Sequence, residues 1–399
     1  MPSTRLQSLD VLRGIAILGT LGTNIWIFTN PEGLIGYLNG PADSPWRGVE
    51  VALQLLAQGK FLGLLTVMFG IGLALQQRSA IAAGQGWPGS YPWRALLLLL
   101  DGIVHFLLFT EFDVLMGYAI TGWIVSYLLV TSPRTQRRII ATAAGVHIAM
   151  LALLTWALLA MPAPDGPAPK LDPNPYADGS FWDLVLFRID HLALFRLETV
   201  LIFPMSIALF LLGARLFHAG VLEARGAALR RRLMWAGLAV ALPLDIALEV
   251  AGGDTGLILA RYGVAPFVSL AILAVVAELY IRRPAPGWPG RRLAEVGRMA
   301  LSSYVLQNVV ASSICYGWGL GLAATIPESQ RVPATVAIYL AVAAVVMAFA
   351  HVWLRRFRRG PVEWLWNTSY RALAGTATTG TDPGSTRCQS PATHSSSSR

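Results

Sequence analysis

The 399-residue chain is 55% hydrophobic and 13% charged, with a formal net charge of +9 and a mean hydropathy of +0.55. Soluble domains carry about 25% charged residues, so this composition excludes an ordinary soluble fold. The arginines fall in short clusters between apolar blocks, which is the pattern of membrane loops and leaves no case for a nucleic-acid partner.

Blocks such as "ALLLLLDGIVHFLLF" and "VAIYLAVAAVVMAFAHVWL" approach the ~20 residues that a membrane helix needs. In lipid each segment must satisfy its own backbone hydrogen bonds, and weak alternation argues against a barrel. The expected fold class is therefore all-α, a polytopic transmembrane helical bundle of about ten spans whose first partner is the lipid bilayer. Candidate spans fall at 9–29, 54–75, 94–110, 114–131, 139–161, 199–217, 233–251, 257–281, 299–320 and 333–354. Alternate loops hold the arginine clusters around 134–138, 230–232, 282–292 and 355–359, whereas the remaining loops hold only scattered bases such as Arg47, Lys170, Arg188 and Arg331. That asymmetry predicts both termini in the cytoplasm.

The first span, "SLDVLRGIAILGTLGTNIWIF", carries Asp10, Arg13 and Asn24. Charged groups at membrane depth cost about 2.5–3.5 kcal/mol each on insertion scales, so such residues direct attention to function. Asp10 and Arg13 are spaced i, i+3 and can pair, or Arg13 can snorkel to the interface. No small-x-small cleavage site follows, so residues 1–30 read as a span and not as a signal peptide. Lys60 opens the polar outer end of the second span, where a lysine reads as an interface anchor.

The third and fourth spans hold the richest stretch, "LLDGIVHFLLFTEFDVLMGYAITGW". Asp101 and His105 share a helix face at i, i+4. A turn at Glu111 to Asp113 then sends the chain back past Tyr118. A histidine with a carboxylate partner can gain and lose a proton near neutral pH, or it can be a packed, satisfied core residue. After the fifth span, the outer loop 162–198 begins proline-rich and extended. From Ser180 and Asp183 it predicts a capped amphipathic helix lying on the membrane surface. His191 in that helix is a competing candidate base. His147, His218 and His351 lack acidic partners nearby in sequence. Residues 372–399 are poor in apolar side chains and predict a disordered cytoplasmic tail. The two cysteines, Cys315 and Cys388, show no metal-binding spacing, so no metal is expected.

Five ordered stretches, "SLDVLRGIAILGTLGTNI", "GKFLGLLTVMFGIG", "GIVHFLLFTEFDVLMGYAITG", "VGRMALSSYVLQNVV" with "YGWGLGL", and "RRFRRGPVEWLW", resemble the motifs of the YeiB-like bacterial inner-membrane proteins. The resemblance covers about residues 5 to 371, with a YeiB-like C-terminal part at about 230–371. That family is similar to a superfamily of transmembrane acyltransferases that includes the heparan-alpha-glucosaminide N-acetyltransferases, which move acetyl groups from cytosolic acetyl-coenzyme A to a sugar across the membrane. The resemblance implies one domain over residues 1–371 in the bacterial inner membrane, with acyl-coenzyme A, acetyl-coenzyme A foremost, as donor. The acceptor would be a small molecule or glycan offering a hydroxyl or amine.

It also implies that Asp10 and Arg13 open the first core helix and that Asn24 faces the transfer site. No histidine follows Asn24 here, so His105 with Asp113 becomes the candidate base. Arg13, Arg94 and Arg298 are candidate contacts for donor phosphates, joined by Lys60, Tyr118 and Gln307 as candidate donor-site residues. Gln307 and Glu363 match the motifs without an evident physical role. A transporter using Asp10, Arg13 and His105 as a proton relay is the alternative, and a homodimer is left open.

Overall fold

In the computed structural model of this chain the apolar blocks are helical, and among the described residues there are no strands. The structure describes residues 4–40, 44–161, 170–283, 285 and 287–379. The chain opens with α1 (Thr4–Phe28), two shorter helices α2 (Gly33–Leu38) and α3 (Arg47–Ala57), and α4 (Lys60–Ala82). A hairpin of α5 (Tyr91–Leu108) and α6 (Leu115–Leu128) leads to α7 (Pro133–Ala160). Next come α8 (Phe181–Asp190), α9 (Leu192–His218), α10 (Ala227–Met234) and α11 (Leu242–Ala251), the last two continuous through a π-helical turn at Trp235–Ala241. A second such turn, Ala260–Val264, joins α12 (Gly253–Leu259) to α13 (Ala265–Arg282). The described chain ends with α14 (Trp288–Arg298), α15 (Ala300–Cys315), α16 (Leu322–Thr325), α17 (Arg331–Arg356) and α18 (Pro361–Thr379).

Eight stretches are long and apolar enough to cross a membrane, and α6 and α15 are shorter apolar helices. Together they match the ten predicted spans one for one. Large apolar side chains such as Trp156, Leu159 and Val250 are exposed, as a lipid-facing surface requires.

Three boundaries differ from expectation. The second span is broken at Gly59, whose φ of +67° belongs to glycine and separates the amphipathic α3 from α4. The sixth span begins at Leu192 and not near 199, so the loop before it is shorter and ends in α8. That helix carries the expected capping box: the Ser180 N–H donates to Asp183 Oδ2 at 2.8 Å and the Asp183 N–H to Ser180 Oγ at 3.3 Å. Finally, α18 continues through Thr379, past the start of the predicted tail at 372; residues 380–399 lie outside the described residues.

Glycines bring the helices together where no side chain could stand. A Cβ on Gly297 would lie 1.8 Å from the Asp10 carbonyl oxygen, and one on Gly14 2.0 Å from that of Leu293. So α1 and α14 touch backbone to backbone, as small residues permit in membranes. Gly70 and Gly213 do the same for α4 and α9. At one end of the bundle, α18 packs against α5 and α15, and the Ser90 and Tyr370 hydroxyls are hydrogen bonded. At the opposite end, Tyr176 donates to Glu111 at 2.8 Å and Arg188 pairs with Glu111 at 3.3 Å.

Candidate functional site

At the arginine-rich end a cavity of about 350 Å³ is lined by Arg13, Arg94 and Arg298, the three arginines proposed from sequence for donor phosphates. Its volume falls within the ~300–1,000 Å³ of small-molecule sites. Arg13 pairs with Asp10 at 3.6 Å. Arg94, in the first turn of α5, donates to Gln76 Oε1 at 2.7 Å and lies 4.3 Å from the ring centroid of Tyr370 and 5.5 Å from that of Trp366.

Glu363 also borders this cavity, and here it gains the role that sequence could not assign. Its carboxylate accepts from the N–H groups of Leu301 at 2.8 Å and Ser302 at 3.2 Å and from the Ser302 hydroxyl. It thereby caps the start of α15, where orphan donors and the helix dipole favour a negative charge. Apolar walls from Leu65, Met68, Phe69, Leu98 and Leu115 lead to Tyr304.

Tyr304 is a shared wall. It also lines a second, small cavity of about 30 Å³ with Thr20, Thr23, Asn24, Glu198 and Arg261. Arg261 donates to Glu198 Oε1 at 2.8 Å and to Gln58 Oε1 at 2.7 Å, and the Tyr262 hydroxyl donates to the same Glu198 oxygen at 2.8 Å. Both Arg261 and Tyr262 sit in the π-helical turn, a local widening that re-aims side chains.

His105 stands behind Tyr304, with ring centroids 4.8 Å apart. Its Nδ1 lies 2.9 Å from Asp113 Oδ1. A carboxylate only accepts, so Nδ1 carries the proton and Nε2 offers its lone pair to the Asn308 Nδ2 donor at 3.0 Å. Both nitrogens are thus engaged, the residue is 1% exposed, and it lines neither cavity. The partner carboxylate is Asp113 across the turn and not Asp101 one turn away; Asp101 Oδ2 has no partner among the described residues. Two arginines hold the turn that carries Asp113. Arg188 donates to the carbonyls of Leu107 at 3.0 Å and Phe109 at 3.3 Å, and Arg196 to those of Asp113 at 3.1 Å and Glu111. Arg188 thereby satisfies orphan carbonyls at the end of α5, and Arg196 satisfies those of the turn itself.

Three expected donor-site residues lie elsewhere. Lys60 is neither at the arginine-lined cavity nor exposed as an interface anchor: it is buried, with Asp245 at 2.5 Å and Glu249 at 3.2 Å. A lone ammonium in lipid would be costly, and this triad removes that penalty. Tyr118 is buried behind Phe69, its hydroxyl bonded to Thr66 and the Leu62 carbonyl. Gln307 is fully buried, its amide atoms lack partners among the described residues, and it borders neither cavity. His191 is exposed at the α8–α9 junction with Nδ1 against the Phe187 carbonyl, and His351 meets Glu295 at 3.2 Å. No direct hydrogen bond or ion pair among the described residues joins the Asp10–Arg13 pair to His105.

Sequence reasoning missed Glu198, Arg261, Tyr304 and Asn308 as site residues. A signal existed for two of them, because Tyr304 and Asn308 stand one turn apart in "SSYVLQNVV", beside the Gln307 that was singled out.

Residues 216–372 match a family model described as a protein of unknown function (DUF418), overlapping the C-terminal part expected at about 230–371. The chain is 29% identical to the uncharacterized protein YxaH of Bacillus subtilis (strain 168), across 92% of this chain and 95% of that relative. It is 28% identical to the uncharacterized protein YeiB of Escherichia coli (strain K12), across 94% of this chain and 98% of that relative. The matched family stretch contains Arg261, Arg298, Tyr304, Asn308 and Glu363; Arg13, Asn24, His105, Asp113 and Glu198 precede it.

Proposed function

We propose that this chain, similar along nearly its whole length to YxaH and YeiB, is a YeiB-like integral membrane acyltransferase. It would take an acyl group, acetyl foremost, from coenzyme A and place it on a hydroxyl or amine of a small-molecule or glycan acceptor. The observation that carries this reading is the arginine-lined cavity, which ends at the one side chain it shares with the Asn24 cavity. Phosphates of the donor pair with Arg13, Arg94 and Arg298, and guanidinium groups suit them by charge and forked geometry. The apolar walls take the uncharged arm, which brings the thioester to Tyr304. Asn24, across that ring, donates to the carbonyl oxygen as charge develops on it. His105 and Asp113 hold Tyr304 and Asn308 from behind as positioning residues.

The positive-inside rule assigns the arginine-rich end, and with it both termini, to the cytoplasm, where coenzyme A is found. A transporter reading draws on the buried Lys60–Asp245–Glu249 triad, because membrane proteins retain such charges along ion paths. Proton-dependent flux of an unmodified solute would favour it.

Donor binding provides the test. Millimolar coenzyme A is expected to raise the melting temperature of the detergent-solubilised protein by mass action. The shift should shrink as salt screens the arginines, and shrink further in Arg298→Gln. An unchanged melting temperature would remove the donor from the scheme and promote the transporter.

A further inference from the structure

The acyl-transfer reading leaves the accepting group without a binding partner, and the small cavity across Tyr304 supplies one. We propose that this cavity holds the accepting hydroxyl or amine, and that Glu198 binds it and takes its proton. The inference rests on the acyl-transfer reading. A cavity of about 30 Å³ exceeds the ~10–15 Å³ needed by one water but is far below the size of a sugar ring. Only the tip of an acceptor fits, one hydroxyl or amino group at a time.

The wall chemistry matches such a group. Arg261 and Tyr262 both bind Glu198 Oε1, which fixes the carboxylate. Its side chain remains 31% exposed on the cavity wall, so Oε2 is the atom offered to a ligand. A carboxylate oxygen selects a hydrogen-bond donor and disfavours another anion. Asn24 shares the wall, so the accepting atom and the group that polarises the thioester carbonyl converge there. His105 cannot serve in this place, because Asp113 and Asn308 occupy its two nitrogens.

In the step itself, the acceptor's lone pair forms a C–O or C–N bond to the thioester carbonyl carbon and the C–S bond breaks. The acceptor's proton passes to Glu198 and from there to the leaving thiolate. An acyl thioester and an alcohol or amine become an ester or amide and a thiol, and nothing else is consumed.

The test measures thiol release from acetyl-coenzyme A by membrane vesicles containing the full chain. Glu198→Gln is expected to lower release about a hundredfold, the smaller end of a general base's contribution, while the coenzyme A-induced melting shift remains. Hydroxylamine attacks thioesters without a base, so its addition should restore release in Glu198→Gln above the rate at which hydroxylamine alone consumes acetyl-coenzyme A. Thr20→Leu fills the cavity from α1 and should block the protein-dependent release with and without hydroxylamine while donor binding persists. Normal release by Glu198→Gln overturns the assignment of Glu198, and normal release by Thr20→Leu overturns the cavity as acceptor site. Should Glu198→Gln fail to fold, seen as a lost melting shift, Thr20→Leu decides alone. Absence of release by the unaltered protein, by contrast, sinks the acyl-transfer reading and this inference with it.

Discussion

His105 shows how far a single residue can be read from its neighbours. The spacing to Asp101 put a carboxylate on its helix face, and the turn at 111–113 offered another; the folded chain uses Asp113, at 2.9 Å. What local spacing could not give is Asn308, which stands 203 positions away yet closes the other ring nitrogen. Glu198 escaped for a different reason. Arg196 and Glu198 lie in the first two turns of α9 and depress its hydropathy, so the apolar signal begins after them. A consequence for His105→Gln follows. If His105 were the base, its removal would cost ~10²–10⁴ in rate and abolish its titration from the pH profile. As a positioning residue, its loss should reduce thiol release by less than about a hundredfold. The acid limb of the profile should stay, because that limb reports protonation of Glu198: release falls as pH drops and the carboxylate is neutralised. Disappearance of the acid limb in His105→Gln would return the base to the histidine.

At the scale of elements, apolar blocks and turn chemistry were legible because each acts locally. The Ser180–Asp183 box marks a helix start by side chains three residues apart, and arginine clusters mark loop ends. The breaks at Gly59 and Met299 and the two π-helical turns were not legible, because they answer to helices packed from elsewhere. A Cβ at Gly59 would meet the Arg261 carbonyl at 2.4 Å, in the same π-helical turn that aims Arg261 at Glu198. The α1–α14 contact tests this dependence on packing. A side chain at Gly297 must push the Asp10 backbone away, and overpacking of this kind costs typically ~1–3 kcal/mol. Gly297→Leu is therefore expected to lower the melting temperature and weaken coenzyme A binding, since Asp10, Arg13 and Arg298 all ride on these two helices. Gly48→Leu in α3, where a Cβ meets nothing within 4 Å, should change neither. Equal melting of the two variants would show that the close approach does not hold the helices.

The whole molecule divides into an arginine-rich end that carries the larger cavity and an opposite end that carries the Glu111, Tyr176 and Arg188 cluster. This division was visible in the arginine pattern before any fold, because positive-inside sorting depends only on charge between spans. The pairing of two cavities through Tyr304 was not visible, since their walls come from α1, α4, α5, α6, α9, α14, α15 and α18 and the turns between helices. Orientation can be tested in a chain lacking Cys315 and Cys388. A cysteine at Asp178 should react with a membrane-impermeant thiol reagent in intact cells, and one at Arg134 should react only after lysis. The reverse labelling would place the arginine-lined cavity outside, away from coenzyme A.

The most direct measurement of the central claim follows the acyl group itself. Sealed vesicles containing the protein are given acetyl-coenzyme A, radiolabelled in the acetyl group, at the arginine-rich face alone. Label is expected to leave coenzyme A, with one thiol released for each acetyl transferred, and to appear covalently bound to material at the opposite face. Label that stays on coenzyme A, or a solute that crosses the vesicle membrane chemically unchanged, would contradict acyl transfer.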